Sequence, residues 1–98
     1  MEDIIKIDVI FRKFNDGSII GLFPHNIEFD GCVLSYMHIG QHSSANYQHC
    51  IKISKLATKE EYRNLSIELI EIGYDLNIIK KQNYSKYLKS YHDNHLSI

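Results

Sequence analysis

At Thr58 the apolar residues stop recurring at every second position and begin to recur at every third or fourth. No other feature constrains the fold as much, because a half-buried strand needs the first period and a surface helix needs the second. Before the switch, Ile5, Ile7, Val9 and Phe11 point one way, while Lys6, Asp8, Arg12 and the apolar Ile10 point the other. A strand is predicted over 4–14. Asn15-Asp16-Gly17 follows as a hairpin turn, since glycine takes positive φ without steric cost. A second strand is predicted over 18–23, ended by Pro24, which removes a backbone donor. Residues 25–31 read as a connection, a third strand is predicted over 32–39, and 40–45 reads as a polar turn. A fourth strand is predicted over 46–54, with Tyr47, His49, Ile51 and Ile53 on one face.

After the switch, Thr58 and Glu61 have the spacing of a capping box. Tyr62, Leu65, Leu69 and Ile72 form one apolar stripe, and Gly73 stands where a helix commonly ends. A helix is predicted over 59–72 and a short fifth strand over 76–80. Tyr84, Tyr87, Leu88 and Tyr91 share a helical spacing that suggests a second, amphipathic helix docking on the sheet or on another subunit. The expected fold class is α+β: a mostly antiparallel sheet of four to five strands, a β-meander, packed on one main helix. Residues 1–82 are expected to form one domain and 83–98 a C-terminal docking segment.

The 98 residues carry a net charge of −1, which excludes the broad positive field of a general nucleic-acid binder. Lys80, Lys81, Lys86 and Lys89 nevertheless give the C-terminal segment a local basic character. Cys32 and Cys50 are too few for a disulfide framework and read as small core hydrophobes. The acidic start, Met1-Glu2-Asp3, is followed by no signal-peptide core, and no apolar run reaches the ~20 residues of a membrane span. A cytoplasmic protein with no membrane partner is expected.

The segment from Ser35 to Tyr47 carries more hydrogen-bonding groups than closing a hairpin requires. His38 and His42 have the spacing of half a zinc site, but no Cys-x2-Cys accompanies them, so hydrogen-bonding histidines are expected and no metal. Ser43 and Ser44 neighbour His42 without a Gly-x-Ser-x-Gly elbow, and His49 and Cys50 point to opposite faces of the expected strand. No catalytic constellation is present, so the protein is expected not to be an enzyme. Anion binding suits the residues better. Arg12 offers a planar fork to phosphate, the Gln41-His42-Ser43-Ser44 turn offers donors, and Tyr36 or Tyr47 offers a ring for stacking on a base. The plainer reading has Arg12 paired with Asp8 or Glu28 and the tyrosines packed in the core.

The chain up to about Gln82 resembles a family of small, mostly uncharacterised proteins from bacteriophages and mobile elements. The resemblance lies in Ile7–Phe14, Asp16-Gly17, Leu22-Phe23-Pro24, Leu34-Ser35-Tyr36, His38–Ser43, Ala45, Tyr47 and Ile72–Leu76. It implies an accessory protein that counters bacterial immunity, either by blocking a defence protein or by sequestering a nucleotide signal. Together these readings give a non-enzymatic, cofactor-free binding protein, expected to be a homo-oligomer, that holds a small anionic ligand, a nucleotide. Its expected site is Arg12, Tyr36, His38, Gln41, His42, Ser43 and Tyr47. The alternatives are an inhibitor that binds a host defence protein, a single-stranded nucleic-acid binder using the Lys80–Tyr91 segment, and a small hydrolase.

Overall fold

Alternation along the first apolar run produces β1 (Ile7–Phe14), and Gly17, at φ 91°, turns the chain back into β2 (Ile19–Phe29). The turn is fastened by Asp16 Oδ1, which accepts from both the amide and the hydroxyl of Ser18. The computed structural model describes residues 6–29, 31–38, 41–83 and 85–89. Within them follow β3 (Cys32–Met37), β4 (Gln41–Asn46), α1 (Tyr47–Lys52), β5 (Ser54–Leu56), α2 (Lys59–Ile72) and β6 (Leu76–Ile78), with a final helical turn over 85–89.

The strands form one mostly antiparallel sheet in the order β4-β3-β2-β1-β5, with β6 also on β1, so the α+β class holds. β1 is the centre of the design. β2 takes one of its edges; β5, antiparallel at Arg12–Phe14, and β6, parallel at Ile7–Val9, divide the other edge between them. The α2 connection makes this division possible by carrying the chain from one end of that edge to the other.

Both faces of the sheet are covered. Val9, Phe11, Phe23 and Tyr36 pack with Leu65 and Leu69 of α2. Ile10, Ile20, Leu22, Ile27 and Val33 pack with Tyr47 and Cys50 of α1, with Tyr87 against them. This explains why apolar Ile10 breaks the alternation of β1: its side is a core face as well.

The structure departs from the sequence reading in several places. Pro24 lies inside β2, at a register shift between Phe23 and Ile27 where the ladder to β3 is already interrupted. The polar segment predicted as a turn is mostly strand β4, and the predicted fourth strand is instead α1 followed by β5. Asn46 caps α1 by accepting from the His49 amide at 2.9 Å. Residues 39 and 40, where the third strand was expected to end and the turn to begin, lie outside the described residues. β6 ends at Ile78, two residues earlier than expected.

α2 keeps its predicted bounds and its capping box: Thr58 Oγ1 accepts from Glu61 N, and Glu61 Oε1 from Thr58 N. Its buried stripe is rotated, however, because Leu65 and Leu69 are buried while Ile72 is 51% exposed. Tyr84 and Tyr91 of the expected second helix lie outside the described residues. The helical turn that is described packs Tyr87 against the Ile10 core, and polar groups in and just before it fasten it to the sheet. His25 Nε2 accepts from the Asn83 amide, so the neutral ring carries its proton on Nδ1 and donates it to Asp8. Lys86 Nζ reaches the same carboxylate at 3.0 Å, and Gln82 donates to the Pro24 carbonyl.

Candidate functional site at the hairpin end

The two-sided core divides the expected site residues between two faces. Arg12 shares the parity of Ile10 and therefore lies on the α1 face. Its Nε donates to Ser54 Oγ at 2.9 Å, and Nη2 donates to the carbonyls of Ile51 and Ser54 at 3.1 and 2.7 Å. The guanidinium thus binds the end of α1 to β5, satisfying the Ile51 carbonyl in the last turn of the short helix and the Ser54 carbonyl of β5. Tyr47, expected to stack on a base, is buried on the same face, and its hydroxyl accepts from the Gln82 amide. Burial pushes this phenol up from its ordinary pKa, against the weaker opposing effects of that bond and of Arg12.

On the opposite face, Tyr36 is fully buried and donates to Glu68 Oε1 at 2.5 Å. His38 Nδ1 lies 2.7 Å from Glu68 Oε2. An ionised carboxylate only accepts, so Nδ1 is the donor and Nε2 points away from Glu68. His42 sits across the strands from Tyr36, edge-on to its ring, and its Nε2 shares a 2.9 Å bond with the Tyr74 hydroxyl. Ser43 is exposed; its carbonyl accepts from Ser35 Oγ, which ties the strand pair together. The shared cleft expected between Arg12 and the hairpin is therefore not formed. Tyr36 and His38 meet Glu68 of α2 and His42 meets Tyr74 just beyond that helix, while Arg12 and Tyr47 serve the other layer.

A groove opens where the two hairpins meet α2. Its volume is about 340 Å³, and it is lined by Ser18, Ile19, Met37, His38, Gln41, Glu61, Asn64 and Leu65. Two of the expected residues, His38 and Gln41, contribute to it. Ile19, Met37 and Leu65 give it apolar walls, while Gln41 and Asn64 supply carboxamides, each with a donor and an acceptor end. Its charges are already matched: Lys13 Nζ meets Glu61 Oε2 at 2.6 Å. That bond, with the Thr58 amide, holds the Glu61 carboxyl below its ordinary pKa.

Sequence reasoning missed Glu61, Asn64, Glu68 and Tyr74. Glu68 had left a signal, since it lies three residues after Leu65 and beside Leu69, an acid on the buried side of an apolar stripe. Such a position calls for a buried donor, and Tyr36 is that donor. Among the described residues no group of three or more His, Cys, Asp or Glu side chains is placed to hold a metal ion, and no helix is long and apolar enough to cross a membrane. No family model, curated protein or solved structure matches the chain. What the fold shows by itself is a small α+β protein with a charge-matched groove at one end of its sheet.

Proposed function

We propose that this protein is a non-enzymatic binding protein that captures a nucleotide-type small molecule by its base, in the groove between the hairpin ends and α2. The observation that carries the reading is the convergence of three separate elements on one recess, with two carboxamides set against apolar walls. Flat heterocycles are recognised by this combination: amide groups pair with the donor and acceptor edge of a base, and apolar side chains cover its face. Arg12 takes no part, because its fork is committed to α1 and β5. Lys13 is held by Glu61, so phosphate is not the anchor. The resemblance to phage and mobile-element accessory proteins gives the capture its setting, the removal of a host immune signal from solution.

A panel of nucleosides, nucleotides and cyclic nucleotides in thermal-shift and calorimetric titrations tests this. A ligand at a hundred times its Kd stabilises a fold by about 2.7 kcal/mol, which in a domain this small raises Tm by about 10 °C or more. Gln41→Ala and Asn64→Ala should each weaken binding at least about tenfold and leave the unliganded Tm within a few degrees. If no base-bearing compound shifts Tm, the reading fails. A host protein that co-purifies in its place would favour the inhibitor alternative.

A further inference from the structure

The sheet ends at β4, and among the described residues no strand pairs with its outer edge. Alternation shows which backbone groups face that edge. The Phe14 amide donates to the Ser18 carbonyl, so even-numbered residues of β1 face β2. Ile10 and Arg12 pair with Leu22 and Ile20, leaving Gly21 and Phe23 to face β3 opposite Tyr36 and Leu34. Ser35 and Met37 must then face β4, opposite Ser43 and Gln41. The bond from Ser35 Oγ to the Ser43 carbonyl places that carbonyl inward independently. The amides and carbonyls of His42 and Ser44 are left facing outward.

Edge strands are usually protected from pairing by lysine, proline or a bulge. Gln41-His42-Ser43-Ser44-Ala45-Asn46 has no lysine, proline or acid, and its register to β3 runs unbroken from Cys32↔Asn46 to Met37↔Gln41. We propose that this edge pairs antiparallel with the same edge of a second copy, about a two-fold axis at Ser43. In that register His42 lies opposite Ser44 of the partner subunit, and both outward residues of each copy exchange their backbone hydrogen bonds. A register centred one pair further on would draw on Asn46, whose carbonyl opens α1. The segment is self-complementary because a two-fold at Ser43 sets each long side chain, Gln41 and His42, against a short, uncharged one, Ala45 and Ser44, so no like charges meet. The result is one continuous sheet through both copies, with both α2 helices on the same face and the two grooves at opposite ends of the shared strand pair. This inference is independent of the ligand reading.

Analytical ultracentrifugation of the full chain over a concentration series tests it, with circular dichroism as the folding control. The wild-type chain should form dimers. Ser44→Pro removes an outward amide and no bond to β3, so it should weaken dimerisation at least about tenfold while the fold is kept. Ser43→Lys and Ser43→Glu set like charges across the axis, so each alone should be monomeric and their equimolar mixture should form a heterodimer. The proposal is overturned by a wild-type chain that stays monomeric throughout. It is equally overturned by a dimer that all three variants leave intact, or by a monomer whose His42 and Ser44 amides resist exchange because the chain caps its own edge.

Discussion

Replacing Arg12 by methionine separates a structural arginine from a ligand-holding one. Methionine keeps the aliphatic stem and removes three donated bonds, to Ser54 Oγ and to the carbonyls of Ile51 and Ser54. A hydrogen bond from a charged donor contributes about 1.5–3 kcal/mol, but these three share one planar group and part of the site reaches solvent, so they do not add in full. The expected loss is about 2–4 kcal/mol. With a urea slope of about 1 kcal/mol per molar for a small domain, the unfolding midpoint should fall by roughly 2 M or more. The damage should fall on α1 and β5, so tyrosine fluorescence, summed over the seven tyrosines of a chain without tryptophan, and far-UV dichroism should report it together. Ligand capture below the new midpoint should be unchanged. A variant that unfolds within about 0.5 kcal/mol of wild type but no longer binds would refute the reasoning, because Arg12 would then be holding ligand rather than the end of α1.

Three further outcomes follow from the same geometry. Burial alone would raise the Asp8 pKa, but bonds from Asn77, Lys86 and His25 outweigh it and hold the carboxyl below its ordinary value of 3.8. Its stabilising contribution is therefore complete above that value and is lost as pH falls through the lower folded one, so Asp8→Asn should flatten the acid limb of a stability profile below about pH 4. Thr58→Ala removes the N-cap acceptor of α2 and should lower stability by about 1 kcal/mol in chemical denaturation, with Thr58→Ser largely restoring it. Burial pushes the Cys50 thiol above its ordinary pKa, so a maleimide should label the half-buried Cys32 first and reach Cys50 only on unfolding, as peptide mass mapping would show.

The parts of the fold that were legible in the sequence are those with one clear period or a local chemical signature. The hairpin at Asn15-Asp16-Gly17 and the Thr58–Glu61 cap are local, and they form as read. The segment after Asn46 was ambiguous in kind. Tyr47, His49, Ile51 and Ile53 alternate like a strand, but Tyr47, Cys50 and Ile51 also fall at helical spacing, and a capping Asn46 decides for helix. β4 shows no apolar alternation because an edge strand of small polar residues has little to bury; its pairing comes from the hairpin and from Tyr36 against His42. The hairpin residues of the site were legible as unusual chemistry, but the layer they face was not. Parity put Arg12 on the face away from Val9 and Phe11, yet only the finding that both faces are covered shows that α1 claims it. Glu61, Asn64 and Glu68 come from an element more than twenty residues further along the chain, and their approach to His38 is a tertiary fact.

The most direct test of the groove is amide and side-chain NMR during titration with the tightest base-bearing compound from the panel. The carboxamides of Gln41 and Asn64 and the amides of Ile19 and Leu65 should shift in step with binding, while the Arg12 Nε signal stays fixed. Shifts centred on Arg12, Ser54 and Tyr47 with a silent groove would contradict it.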